Sequence, residues 1–132
     1  MKLQAGQVFR LLCRVCTPQK IKYFVVASTA VPLRFFLINS SATPFQQARL
    51  HLMTSVLALD PQVQKFLGHA SVLDCTELLG GFTAQELEDL RTADGTVFIG
   101  RLDATARRAV RAIVQSSRLL SADEKAYLLK EW

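Results

Sequence analysis

Apolar and polar positions alternate along the opening of the chain. Phe9, Leu11, Cys13 and Val15 fall on one side of Val8–Cys16, with Arg10 and Arg14 on the other, and this period of two predicts a strand. Thr17-Pro18-Gln19-Lys20 reads as a turn. Ile21–Ser28 follows as a second strand around Phe24, Val25 and Val26, and Leu33–Asn39 as a third around Phe35, Phe36, Leu37 and Ile38. Short apolar runs bounded by turn residues predict strands buried on both faces. Ser40-Ser41-Ala42-Thr43-Pro44 breaks the pattern. Gln46–Leu59 is ambiguous: its start fits a helix, while Met53–Leu59 fits a strand running into Asp60-Pro61. Phe66 and Leu67 fall in a short connection, and Ala70–Cys75 is a further strand.

After residue 80 the period changes. Thr83-Ala84-Gln85-Glu86 is a capping box, opening a helix with Leu87 and Leu90 inward. Asp94-Gly95 is a turn and Thr96–Gly100 a short extended piece. Asp103 caps a helix to about Ser116 with Ala106, Val110, Ile113 and Val114 inward. Ser121-Ala122-Asp123-Glu124 is a second capping box, opening a helix that carries Tyr127, Leu128 and Trp132. The expected architecture is mainly β, or α+β: a small antiparallel barrel or curled sheet from residues 1–80, with helices from 83–132 packed on it as one domain.

The chain has 132 residues, half of them apolar, which fits one domain and excludes wholesale disorder. Its longest apolar run, Tyr23–Ala27, is far short of the roughly 20 residues of a membrane helix, and no signal-peptide core follows Met1. A membrane partner is not expected. Three cysteines suit no secreted disulfide framework, so Cys13, Cys16 and Cys75 are read as reduced and the compartment as cytoplasmic. Cys13 and Cys16 form a CxxC, but in a strand residues three apart face opposite ways, so both thiols could not grip one metal ion. Asp74 and Glu77 lack further ligands, and no metal or other cofactor is expected. Gly80-Gly81 lacks the Lys-Ser/Thr of a phosphate loop.

The net charge is +5, and most of it lies between Arg101 and Arg118, where five arginines face the single Asp103. Arg107, Arg111 and Arg118 are spaced by four and seven, which on a helix gives one stripe. Such a stripe suits phosphates, an acidic peptide or plain solvent.

Several stretches together resemble a known family. Gly6-Gln7-Val8-Phe9 opens a strand and Tyr23–Ser28 continues the next; Phe35–Ser40 reads Phe-Phe-Leu-Ile-Asn-Ser; Ser71–Leu78 precedes Gly100-Arg101-Leu102 at a helix start. In this order the chain resembles a divergent branch of the PemK/MazF-like toxins of bacterial toxin–antitoxin modules, over residues 4–120. The resemblance implies an SH3-like β-barrel with C-terminal helices, usually a homodimer. It implies a metal-independent endoribonuclease on single-stranded RNA, using the RNA 2′-hydroxyl as nucleophile and neutralised by an antitoxin.

By resemblance, the arginine position of the second strand falls on Lys22, which keeps the charge without the planar fork. The hydroxyl position after the third strand falls on Ser40, with Ser41 beside it. Tyr23 stands in place of a proline. Asp74 and Thr76 stand where some members carry a base and an acid around the cysteine. The departures bear on catalysis rather than fold. Lys22 and Ser40 or Ser41 would hold the scissile phosphate, and His69 would serve as acid or base. Arg14, Lys20 and Tyr23, with Arg107, Arg111 and Arg118, would contact RNA. Phe24, Phe35, Phe36 and Cys75 are core candidates. The alternative is a barrel without catalysis that binds nucleic acid or a partner protein.

Overall fold

The computed structural model describes residues 2–132. Six strands, β1 (Gln7–Cys13), β2 (Lys20–Ser28), β3 (Arg34–Asn39), β4 (Val56–Leu59), β5 (Ser71–Leu79) and β6 (Phe98–Arg101), form one antiparallel sheet in the order β4-β5-β3-β2-β1-β6. The sheet curls into a half-barrel, and the fold is α+β. Five helices accompany it: α1 (Pro44–Gln47), α2 (Leu50–Met53), α3 (Ala84–Ala93), α4 (Ala104–Ser116) and α5 (Ala122–Leu129). Among the described residues no helix is long and apolar enough to cross a membrane.

The central strands are buried on both faces, as their unbroken apolar runs predict. Val8, Val25, Phe36, Ile38 and Leu73 pack on one side beneath α4 and α5, with Val110, Val114, Leu120 and Leu128. Phe9, Leu11, Phe24, Val26 and Phe35 pack on the other with Phe82 and Leu87. Period two along each strand sends alternate residues into these two clusters. Phe24, Phe35, Phe36 and Cys75 are core, and burial pushes the Cys75 thiol pKa far up.

Helix starts follow their caps. The side chains of Thr83, Asp103 and Ser121 accept from the backbone N–H three residues on, and the first and third close reciprocal boxes with Glu86 and Glu124. A third box, Thr43 with Gln46, opens α1 and settles the ambiguous stretch. Residues 50–53 turn helical before β4 begins, so the strand expected from Met53 is shorter and starts at Val56. Leu87 is buried as expected, but Leu90 is exposed on the short α3.

Two sequence expectations fail at the end of β1. The strand stops at Cys13, and residues 14–16 turn back toward it. The turn brings the Cα atoms of Cys13 and Cys16 to 5.5 Å, and the two sulfurs are paired as a disulfide. The opposite-face argument applied only to a continuous strand. The pairing corrects the reading of all three cysteines as reduced, and with it the cysteine argument for a reducing compartment.

The arginine stripe also fails. Helix α4 ends at Ser116, so Arg118 lies beyond it on an exposed turn. Arg107 donates to the Leu102 carbonyl, and Arg111 donates to the carbonyls of Leu129 (2.8 Å) and Trp132 (3.0 Å). Both guanidiniums tie α4 to neighbouring backbone instead of lying along an open helix face.

Candidate cleft at the end of the sheet

A cleft of about 700 Å³ opens where β2 begins, β3 ends and β5 begins. Antiparallel pairing places these three ends together: Tyr23 lies opposite Ile38 and Asn39 opposite Val72. The turn after β3 supplies Ser40, Ser41 and Thr43, and the connection into β5 supplies Leu67, Gly68 and His69. Lys20, Lys22, Tyr23, Ser40, Ser41 and His69, far apart in sequence, therefore line one cleft.

Lys22 is half-buried, and its Nζ donates to Oδ1 of Asn39 on the adjacent strand. Burial, and then the nearby Lys20 ammonium, lower its pKa below the usual lysine value, against a smaller raising effect of Asp74. Ser40 and Ser41 are exposed, and among the described residues no protein group engages either hydroxyl. His69 is exposed, with Nδ1 2.8 Å from the Ala70 carbonyl. A carbonyl can only accept, so Nδ1 carries the proton and Nε2 of the neutral ring keeps its lone pair. Ser71 Oγ donates to the His69 carbonyl at 3.1 Å, bracing the same turn.

Tyr23 is less free than a stacking platform needs. Its ring meets Phe66 edge-on at 5.1 Å, and its hydroxyl reaches the Phe66 carbonyl at 3.5 Å. The phenol holds the 66–69 connection over the cleft. Arg14 is not in the cleft: it lies beyond β1, with its guanidinium 5.0 Å from the Phe82 ring centroid and 4.0 Å from Glu86. Arg107, Arg111 and Arg118 are absent from it as well. These four expected RNA contacts do not join the cleft.

Among the polar lining residues, sequence reading did not place Arg10, Asn39, Thr43, Ser71, Asp74 or Glu77 at a site. Arg10 sits opposite Tyr23 in the register, and the alternation that exposes it was visible in the sequence. Glu77 reaches the rim because the β3–β5 register shifts: Leu37 pairs with Asp74, yet Phe35 pairs with Leu79. The extra length of β5 makes an irregularity of three residues in the pairing, which no local signal announced. Asp74 also lines the cleft, but its carboxylate is occupied. Oδ1 accepts from the Thr76 N–H (2.9 Å) and hydroxyl, and Oδ2 accepts from Gln46 Nε2 at 3.0 Å.

The cleft thus gathers three cations, one histidine, two carboxylates, one of them saturated, and five hydroxyls, of which those of Ser40 and Ser41 have no protein partner among the described residues. Such a set can hold a phosphodiester and move a proton. No family model matches this chain, and no curated protein matches it.

Proposed function

We propose that the cleft binds single-stranded RNA and cleaves it in the manner of the PemK/MazF-like toxins, on an SH3-like barrel. The observation that supports this reading is the convergence of Lys20, Lys22, Ser40, Ser41 and His69 on one cleft. In this reading Ser40 or Ser41 donates to a non-bridging oxygen of the scissile phosphate. His69 Nε2 takes the proton of the 2′-hydroxyl, whose oxygen bonds to phosphorus. The bond from phosphorus to the 5′-oxygen breaks, and Lys22 gives that oxygen a proton. The products are a 2′,3′-cyclic phosphate and a free 5′-hydroxyl. A lowered lysine pKa favours that donation. The same reading carries the expectation of a homodimer and of an antitoxin partner.

The second reading, RNA binding without cleavage, is favoured by one observation. Both oxygens of Asp74 are already satisfied by Gln46 and Thr76, so this carboxylate is not a free base.

The test is incubation of a long single-stranded RNA with the protein in excess EDTA, beside Lys22→Ala, Ser40→Ala and His69→Ala. Discrete cleavage that persists in EDTA and is lost in Lys22→Ala and His69→Ala is the expected result. Intact RNA with retained binding establishes the second reading. Cleavage unchanged in all three variants removes the chemistry from this cleft.

A further inference from the structure

At the other end of β2 lies a second recess, of about 290 Å³, lined by Arg101, Arg107, Arg108, Arg111, Glu131 and Trp132. Its guanidiniums are positioned by neutral acceptors. Arg101 Nε donates to the Ala5 carbonyl at 3.0 Å, Arg107 to the Leu102 carbonyl, and Arg108 to the Thr105 hydroxyl at 3.2 Å. Gly6, at φ +89°, permits this gathering: a Cβ there would stand 3.0 Å from Arg107 Cδ.

The carboxylates nearby are hydrogen-bonded elsewhere, although the Arg107 charge still acts on Asp103 and Glu131 lines the recess. Glu131 accepts from the Ser28 hydroxyl (2.9 Å), the Thr29 N–H (2.9 Å) and the Thr29 hydroxyl. Asp103 caps α4 through the Ala106 N–H at 3.0 Å and accepts from Gln64 at 2.7 Å. Among the described residues, Arg101, Arg107 and Arg108 form no ion pair. Burial, and then the Arg107 charge, pull the Arg101 pKa down. With Arg101, Arg107 and Arg108 set against one lining carboxylate and no direct ion pair, their mutual repulsion is a cost that an incoming anion lowers.

Two features choose the anion. A guanidinium binds phosphate through two parallel hydrogen bonds, and each of the three keeps unused N–H donors. Trp132 is half-buried at the rim: its ring packs toward Phe36 at 6.5 Å and its indole N–H donates to the Ala27 carbonyl at 2.8 Å, so only the part of the ring left exposed faces the recess. An aromatic face beside arginines suits a base next to its phosphate better than an acidic peptide.

We propose that Arg101, Arg107, Arg108 and Trp132 form a second contact for a nucleic-acid strand, gripping its phosphates at the end of β2 opposite the cleft. The inference deepens the RNA reading without needing the cleft to be catalytic. Tyr23, which lines the cleft, and Ala27 lie on the same face of β2 and are four strand positions apart, roughly 13 Å at the usual rise, so one strand of moderate length can reach both sites.

The experiment is fluorescence anisotropy with a single-stranded RNA of about 16 nucleotides, titrated over a salt series, for the full chain and for Arg108→Gln, Arg101→Gln/Arg108→Gln and Lys22→Ala. Arg108 bonds only within its own helix, so Arg108→Gln keeps the test open should the double variant fold poorly. The double variant is expected to bind roughly 10-fold more weakly, with a salt slope shallower by about 1.4 for two lost phosphate contacts. Arg108→Gln should show about half that change in slope. Unchanged affinity and slope in both arginine variants would overturn the inference, whatever Lys22→Ala does. A loss seen in the arginine variants with Lys22→Ala silent keeps this inference and removes the cleft reading. Displacement of the RNA by a poly-glutamate peptide as readily as by unlabelled RNA of equal charge overturns the phosphate assignment in favour of an acidic peptide.

Discussion

Lys22 and Asn39 face each other on adjacent strands, and the ammonium of the first is held by the side-chain carbonyl of the second. The contact aims a partly desolvated cation at the mouth of the cleft. Burial and Lys20 lower the Lys22 pKa, so its charge is lost at a lower pH than that of a free lysine. The stability consequence has a definite sign. Between the lowered folded pKa and the unfolded value the unfolded chain binds more protons, so Lys22 makes the fold relatively more stable as pH rises through that window. RNA binding moves the other way, because the neutral amine no longer attracts phosphate. RNA affinity measured across the alkaline range should therefore fall at a lower pH in the native chain than in Lys22→Arg. Coincident profiles would show that Lys22 does not touch the ligand. Asn39→Ala, which removes the hydrogen bond but leaves the charge, should weaken binding by about 1 kcal/mol or less.

The cysteines give a direct chemical test. Cys13 and Cys16 are paired, and Cys75 is buried with its thiol pKa raised. The folded chain should resist alkylation, since only a thiolate reacts and Cys75 is both protonated and enclosed. In denaturant without reductant, mass spectrometry should find a single alkylated cysteine, Cys75. After reduction it should find all three. Three labels before reduction would show that the pair is open in solution.

Asp103 joins two parts of the molecule. Its carboxylate caps α4 through Ala106 and receives a hydrogen bond from Gln64, and these two contacts hold its pKa below the ordinary aspartate value. A depressed carboxylate pKa contributes stability that is present above the unfolded value, near 3.9, and lost as pH falls through the folded one. Asp103→Ala should cost about 1 kcal/mol at neutral pH, the usual loss for an N-cap. Asp103→Asn should retain most of the cap while flattening the acid limb of a urea-denaturation series. Equal acid limbs in wild type and Asp103→Asn would assign the acid sensitivity to other carboxylates.

Local signals carried most of the fold. Capping boxes at Thr83 and Ser121, and the alternation from Val8 onward, are interactions within a few residues, so the sequence displays them directly. The site was legible where it follows strand ends: Lys22, Ser40 and His69 do meet. What escaped was set by tertiary geometry. The turn after Cys13 reverses a chain whose residues still alternate, and it pairs Cys13 with Cys16. The register break in β5 carries Glu77 to the rim through long-range pairing. Arg107 and Arg111 keep helical spacing, but the Leu102 carbonyl just after β6 and carbonyls of the C-terminal segment claim them. Spacing alone cannot report which acceptors a fold brings within reach.

Gln46 offers the sharpest lever on the cleft wall. It is buried, and it works at both ends of its amide. Oε1 accepts from the Thr43 N–H at 3.0 Å to close the α1 capping box, while Nε2 donates to Asp74 Oδ2 at 3.0 Å. Helix α1 is a single turn, too short to stand alone, so this bond to β5 fixes the segment that carries Ser40, Ser41 and Thr43. Gln46→Glu keeps shape and the capping acceptor but replaces a donor with a second carboxylate against Asp74. Two like charges in contact, one at a buried position and one half-buried, should cost about 1–3 kcal/mol at neutral pH. The loss should shrink in acid, where one of the pair takes up a proton and restores a shared hydrogen bond. Gln46→Ala removes both contacts, so its cost should be similar at neutral pH without the acid recovery. Denaturation midpoints of both variants at neutral and acidic pH decide the matter. Should Gln46→Glu lose stability equally at both, repulsion with Asp74 is not the cause, and the amide's role reduces to capping α1.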